Sequence, residues 1–214
     1  MLSIKEKLYQ LDSGKKGKTR ETRQFDPVQL QSIQATLLHT HRGLCVYREK
    51  QYDFNFMHGP CTLDEFLHIP KTAFDLLNKA VLPADFDPNS VVFLDTETTG
   101  LAGGTGTYAF IVGVGFFAAN KFKIQQFFLP DYDCESAQLY VLAELLASKS
   151  ALITFNGKSY DIPLLKNRFI LNKIDFEWES FSHIDLLHTS RRLWSRQIGS
   201  CSLQNVEQTI LKIK

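Results

Sequence analysis

Short apolar runs that end in polar residues alternate with amphipathic stretches along the second half of the chain. Four runs have the length and apolar content of buried strands: 91–95, 107–118, 121–130 and 151–155. A shorter strand is predicted within 181–187, where it leads into a helix. Helical spacing covers three further segments: 134–149, 161–173 and 202–211. A tight turn at Ala119-Asn120 is predicted to join the second and third strands.

The order of these elements sets the fold class. Three consecutive strands come first and are predicted to be antiparallel, and strand–helix alternation follows. A doubly wound sheet would alternate from its start. The pattern therefore predicts an α/β fold of the ribonuclease H-like type, with a mixed sheet flanked by helices.

Residues 1–85 are predicted to form a basic, mostly helical N-terminal extension. Asp26-Pro27 is a suitable start for a helix over 27–42, which Gly43 would end. One or two strands and two short helices, at 62–69 and 72–80, are expected after it. The proline- and aspartate-rich segment 83–90 predicts a boundary, and the main domain is expected over 90–214.

Composition and charge narrow the class of protein. With 44% hydrophobic and 22% charged residues among 214, the chain has the composition of a soluble globular protein. It contains neither a membrane-length apolar run nor the apolar core of a signal peptide, so a cytoplasmic protein without a membrane partner is expected. Four widely separated cysteines argue against a disulfide framework and a zinc site. The net charge of +1 combines two basic ends with an acidic middle. Basic ends can contact phosphates and an acidic middle can hold cations, and the structural alternative is a solvated surface.

The first chemical motif is FLDTETTG, at 93–100. Side chains two residues apart on a strand share a face, so Asp95 and Glu97 are expected to point the same way. Two neighbouring carboxylates repel unless a cation lies between them, and Mg²⁺ prefers such oxygen ligands. The structural alternative is that Asp95 caps the following turn and Glu97 is solvated.

The second motif is FNGKSYDIPLL, at 155–165, where a buried strand again ends in polar residues before a helix. Asn156 and Gly157 suit the turn. Asp161 would stand at the start of the helix, either as an N-cap or as a third acidic group facing the site. These two roles do not exclude each other.

Taken together, the motifs resemble those of the DEDD 3′→5′ exonucleases, and among them the proofreading domains of family B DNA polymerases. Four segments are still more similar to the bacterial YprB-like predicted exonucleases, over about 90–214: FLDTETTGLAGGTGTYAF, FNGKSYDIPLL, HIDLLHTSRRLW and GSCSLQNVE. The resemblance implies that Asp95, Glu97 and Asp161 are catalytic, metal-linked carboxylates. The implied cofactor is Mg²⁺ or Mn²⁺, in a two-metal site in the full-length protein, and the implied partner is the 3′ end of DNA or RNA.

Several polar residues around these motifs are candidates for contact with the nucleic acid: Thr98, Thr99, Asn156, Lys158, Arg191 and Arg192. The resemblance also implies that Asn156 shapes the site beside the strand. Asp185 is a further candidate metal ligand, although the resemblance places it away from the last catalytic helix.

The sequence departs from the family at its third motif, a Tyr or His four residues before a fourth carboxylate. No Tyr or His in the chain has Asp four positions later. We therefore expect a chain truncated before that helix and poorly active or inactive in this form. A non-catalytic nucleic-acid-binding module on the same fold is the alternative function, and an endonuclease of the ribonuclease H type is a third.

Overall fold

One mixed sheet of seven strands organises the molecule. The computed structural model of the protein describes residues 27–78, 82–100 and 106–213, so the predictions for 1–26, 79–81, 101–105 and 214 concern residues outside these ranges. The strands of the main sheet are β1 (Thr36–Thr40), β2 (Gly43–Asp53), β5 (Val91–Thr98), β6 (Ala109–Ala118), β7 (Lys121–Phe128), β8 (Ala151–Thr154) and β9 (Ser182–Asp185). A separate hairpin is formed by β3 (Met57–His58) and β4 (Cys61–Thr62).

The helices connect these strands and cover the sheet. The α-helices of the described ranges are α1 (Pro27–Ser32), α2 (Lys71–Asn78), α3 (Glu135–Leu146), α4 (Asp161–Leu171), α5 (Leu186–Ile198) and α6 (Leu203–Thr209). Short 3-10 helices lie at Leu63–His68, Pro88–Ser90, Tyr132–Cys134 and Trp178–Ser180.

The sheet has the order β1-β2-β7-β6-β5-β8-β9. Pairing is antiparallel from β1 across to β5 and parallel from β5 to β9. Ala119 and Asn120 both have positive φ, 50° and 57°, as a two-residue hairpin turn between β6 and β7 requires. The ribonuclease H-like fold predicted from the element order is confirmed.

The prediction of one helix over 27–42 is wrong beyond Ser32. Gln34 takes the left-handed conformation, with φ of 55°, and the N–H of Ala35 donates to the carbonyl of Leu30, which closes the helix without a glycine. The chain then enters β1, which pairs residue by residue with β2, and β2 pairs with β7. Sheet hydrogen bonding outweighs the local helical spacing, and residues 36–53 thereby add two strands to the sheet.

Both faces of the sheet are covered. On one face, α3 and α4 pack over the largest core cluster, which includes Val92, Leu94 and Val112. On the other face, Phe74 and Leu82 pack with Val91 and Ile153 in a second cluster, which Leu186 at the start of α5 joins. Successive residues of β5 thus face opposite layers, in keeping with strand geometry.

A buried ion pair fixes α4 against α3. The Nε and Nη2 atoms of Arg168 donate to the two carboxylate oxygens of Glu135 at 2.6 and 2.5 Å, and the amide of Asn172 donates to the same carboxylate at 2.8 Å. The Arg168 guanidinium also lies 3.9 Å from the centre of the Tyr108 ring. Because Asp161 is the first residue of α4, this contact helps to set its position at the edge of the sheet.

Candidate functional site

The site begins where β5 extends beyond its parallel neighbour. β5 pairs with β8 only over Val91–Phe93, whereas it pairs with β6 as far as Thr98. The register of the pairing with β6 shifts by one residue between Glu97 and Thr98, so the ladder is irregular where β5 ends. The end of β5 therefore has one free side, beside the point where the sheet changes from antiparallel to parallel pairing.

Asp95 and Glu97 both lie on this free end and are exposed to solvent. Alternation along the strand puts their side chains on one face and that of Thr96 on the other. Thr96 has a role that the sequence interpretation did not include. Its N–H and its hydroxyl both donate to Oδ1 of Asp161, at 3.1 and 2.5 Å.

Asp161 is buried, with 8% of its surface exposed, and is the first residue of α4. It does not act as the N-cap, a position held by Tyr160 without a side-chain hydrogen bond. Its carboxylate instead satisfies the backbone N–H of Thr96, which has no partner from β8. This contact ties the start of α4 to the free side of β5.

A cleft of about 620 Å³ opens over these residues. The three acidic residues of the two motifs line it, together with Thr98, Asn156 and Tyr160. Tyr160 is 61% exposed and forms part of the wall beside Asp161. Sequence reasoning gave no role to Tyr160 or Thr96, although each is adjacent in sequence to one of the acidic candidates.

Negatively charged side chains lie close together in the cleft, and this affects their pKa values. The side chain of Asp95 reaches solvent, but the walls of the cleft remove part of its hydration, and this partial desolvation is the largest cause that raises its pKa; the carboxylates of Asp161 and Glu97 raise it further. Burial raises the pKa of Asp161 as well; the hydrogen bonds from Thr96 oppose this rise and the charge of Asp185 adds to it. A bound cation would relieve this repulsion.

Asp185 organises the turn between β8 and α4. It is 3% exposed and stands at the end of β9, where Oδ1 accepts the N–H groups of Asn156 and Leu187, at 2.7 and 3.0 Å. Oδ2 accepts the N–H of Lys158 at 3.0 Å. The carboxylate thus caps α5 and holds the turn that carries Asn156.

The same turn is tightly packed beneath. Asn156 has φ of 69°, a left-handed conformation that asparagine tolerates. A Cβ at Gly157 would lie 2.5 Å from the Cβ of Thr154, so only glycine fits there. The hydroxyl of Thr154 is in turn 2.9 Å from Nε2 of His183, and burial lowers the pKa of His183 to about 4.

The remaining nucleic-acid candidates fall in different places. The hydroxyl of Thr98 donates to the carbonyl of Gly100 and that of Thr99 accepts from the N–H of Tyr108, so both brace the end of β5. The side chain of Lys158 is exposed.

The two neighbouring arginines of α5 face in different directions. Arg191 lines a second hollow beside the cleft. Arg192 donates to the carbonyl of Leu76 at 2.7 Å, so it is directed towards α2.

The donor atoms of the carboxylate cleft suit a divalent cation, but their side chains are not already arranged as a metal site. Its donors are oxygens only, which suits Mg²⁺ or Mn²⁺. Over the described ranges, however, no group of three or more His, Cys, Asp or Glu side chains is arranged to hold a metal ion. The Asp161 carboxylate accepts a hydrogen bond from the hydroxyl of Thr96, and strand alternation puts the Thr96 side chain on the face of β5 opposite those of Asp95 and Glu97.

Comparison with known proteins agrees with the fold and the motifs. A family model described as the RNase H superfamily matches residues 92–214. The chain is also 32% identical over 176 residues to a protein of Bacillus subtilis (strain 168) described as "Uncharacterized protein YprB", a match that covers 79% of this chain and 41% of that protein. The chain therefore spans about two fifths of the length of this curated relative, and the predicted YprB-like resemblance is confirmed. The matches support a fold of the nuclease type.

Each helix in the described ranges is too short or too polar to cross a membrane.

Proposed function

The chain belongs to the RNase H superfamily, and on that premise we propose that it is a metal-dependent 3′→5′ exonuclease acting on DNA or RNA. The observation that carries the proposal is the acidic cleft, in which Asp95, Glu97 and Asp161 from two separate elements line one hollow of about 620 Å³. The raised pKa of Asp95 supports it, because neighbouring carboxylates of this kind favour a cation.

In this proposal each residue has a distinct task. Asp95 and Glu97, on the free end of β5, hold Mg²⁺ or Mn²⁺. The nearby carboxylate of Asp161 adds negative charge that favours the cation. When bound, such an ion polarises the phosphodiester and lowers the pKa of a water molecule. Asn156 and the exposed ring of Tyr160 border the same cleft and orient the terminal nucleotide.

Metal binding is tested first, because it does not depend on turnover. Addition of Mn²⁺ in place of EDTA is expected to raise the unfolding temperature of the wild type. The same addition should raise it much less for Asp95→Asn. The matched control is Asp175→Asn, since Asp175 is an exposed carboxylate outside the cleft. An equal rise in the unfolding temperature of all three proteins would show that Asp95 is not a metal ligand.

Cleavage is tested with an oligonucleotide labelled at one end. Successive loss of nucleotides from the 3′ end with Mn²⁺ is expected of the wild type and of Asp175→Asn. Asp95→Asn should be slower by about 100-fold or more, since even indirect partners of a metal contribute about 10–100-fold. Cutting of a circular strand would instead indicate an endonuclease.

A non-catalytic nucleic-acid-binding module is the second candidate, and one observation favours it. The described residues hold no ready-made group of three metal-binding side chains. Such a module would bind oligonucleotides equally well in EDTA and in Mn²⁺ and would cleave in neither condition.

A further inference from the structure

A second hollow lies directly beside the acidic cleft. It has a volume of about 810 Å³ and shares Phe155 and Asn156 with the cleft, so the two hollows meet at the turn after β8. Its other wall includes Leu187, Arg191 and Ser195 of α5. Each of these residues is four positions from the next, so the three lie on one face of the helix. We call this hollow the α5 groove.

The α5 groove differs from the cleft in the sign of its charge. Among the described residues that line it, Arg191 carries the only charge, and Ser195, Ser200 and Ser202 add hydroxyl groups. The Arg191 guanidinium makes no ion pair or hydrogen bond with the described part of the chain, in contrast to Arg192, which is bonded to the carbonyl of Leu76. Among the described residues, therefore, an arginine without a partner lies beside a hollow whose lining includes no carboxylate.

The junction of the two hollows is rigidly built. Asn156 is fixed in its left-handed conformation by the hydrogen bond from its N–H to the buried Asp185. Gly157 allows the chain to pass close to Thr154. A ligand that crosses from the cleft to the groove would therefore meet a fixed ridge.

We propose that the α5 groove is a phosphate-binding subsite for the nucleic acid strand, with Arg191 contacting the phosphodiester next to the one that lies in the acidic cleft. The inference rests on the proposed function for the identity of the ligand. A guanidinium is suited to phosphate by its charge and its planar set of donors. The acidic cleft needs a cation before it can accept a phosphate, whereas the groove needs none. Binding through Arg191 is therefore independent of metal.

The experiment compares Arg191→Gln with Arg192→Gln. Both variants remove one positive charge from neighbouring positions on α5, but only Arg191 lines the groove. Binding of a fluorescent single-stranded decanucleotide is measured by anisotropy in EDTA, over a range of salt concentrations. Arg191→Gln is expected to bind about tenfold more weakly, the effect of one charge-assisted hydrogen bond. Its salt dependence should fall by about 0.7 in slope, one phosphate contact on a single strand. Arg192→Gln should keep the slope of the wild type.

The outcomes separate this inference from the proposed function. Equal slopes for the two variants, in a protein that still degrades the strand, would overturn the groove assignment and leave the exonuclease proposal standing. A lower slope for Arg191→Gln alone, in a protein that never cleaves, would support the groove and overturn the catalytic proposal. A wild type that neither binds nor cleaves the strand would overturn both. Urea unfolding of each variant checks that a change in affinity is not loss of fold.

Discussion

Replacement of Asp185 by asparagine tests whether this buried carboxylate is a structural organiser of the site. Its two oxygens accept three backbone N–H groups, from Asn156, Lys158 and Leu187, at 2.7, 3.0 and 3.0 Å. An asparagine keeps one acceptor oxygen and presents an NH₂ group in place of the other. At least one N–H would then face a donor, and the remaining hydrogen bonds would lose their ionic character.

The magnitude follows from these contacts. Hydrogen bonds to a charged group contribute roughly 1.5–3 kcal/mol each, and a buried donor without a partner costs about 1–3 kcal/mol. Removal of the negative charge also relieves part of its repulsion with Asp161. We therefore expect Asp185→Asn to lower the free energy of unfolding by about 2–4 kcal/mol.

The assay is urea unfolding followed by circular dichroism. Asp175→Asn makes the same chemical change at an exposed position and should stay within about 0.5 kcal/mol of the wild type. The denaturation midpoint of Asp185→Asn should fall with little change in the slope of the transition. Midpoints that coincide for the two variants would refute the role assigned to Asp185 in holding the turn.

Three further predictions concern other groups. Arg168→Met leaves the buried charge of Glu135 without its partner and should cost about 3–5 kcal/mol in urea unfolding; the double variant with Glu135→Leu should recover most of the loss, and additive losses would contradict the pairing. Because folding raises the pKa of Asp95, its carboxyl group stays protonated to a higher pH in the folded protein than in the unfolded chain. The free energy of unfolding therefore falls as pH rises from the ordinary pKa of 3.8 through the raised pKa of the folded state. Asp95→Asn should thus unfold at a higher temperature than the wild type at pH 7 in EDTA, and a lower temperature would speak against crowded charge. The pKa of His183 is lowered to about 4, so stability is lost as pH falls from about 6.5 towards 4, and an NMR titration of its imidazole should show a midpoint near pH 4 rather than above 6.

The core of the fold could be predicted from sequence because its signals are local. The helix at 135–146, for example, carries leucines at helical spacing, and Leu139, Leu142 and Leu146 are all buried. The first strands could not be predicted in this way. Leu37 and Leu38 continue the helical spacing of Leu30 and Ile33. Their segment is extended only because of the long-range ladder from β1 through β2 to β7.

The candidate site was only partly predictable for a related reason. Strand alternation correctly puts Asp95 and Glu97 on one face, and nothing in their spacing shows which side of β5 meets α4. That depends on the tertiary contact between Thr96 and Asp161. The different surroundings of Arg191 and Arg192 likewise depend on where α2 packs, which the sequence pattern does not reveal.

The early end of the ladder between β5 and β8 has a consequence for protein engineering. The rungs that join these two strands stop at Phe93, so the last five residues of β5 contribute none on that side. A designer can exchange the acidic side chains at this tip and leave every parallel rung intact. The tip stays attached through its ladder with β6 and through the hydrogen bonds from Thr96 to Asp161.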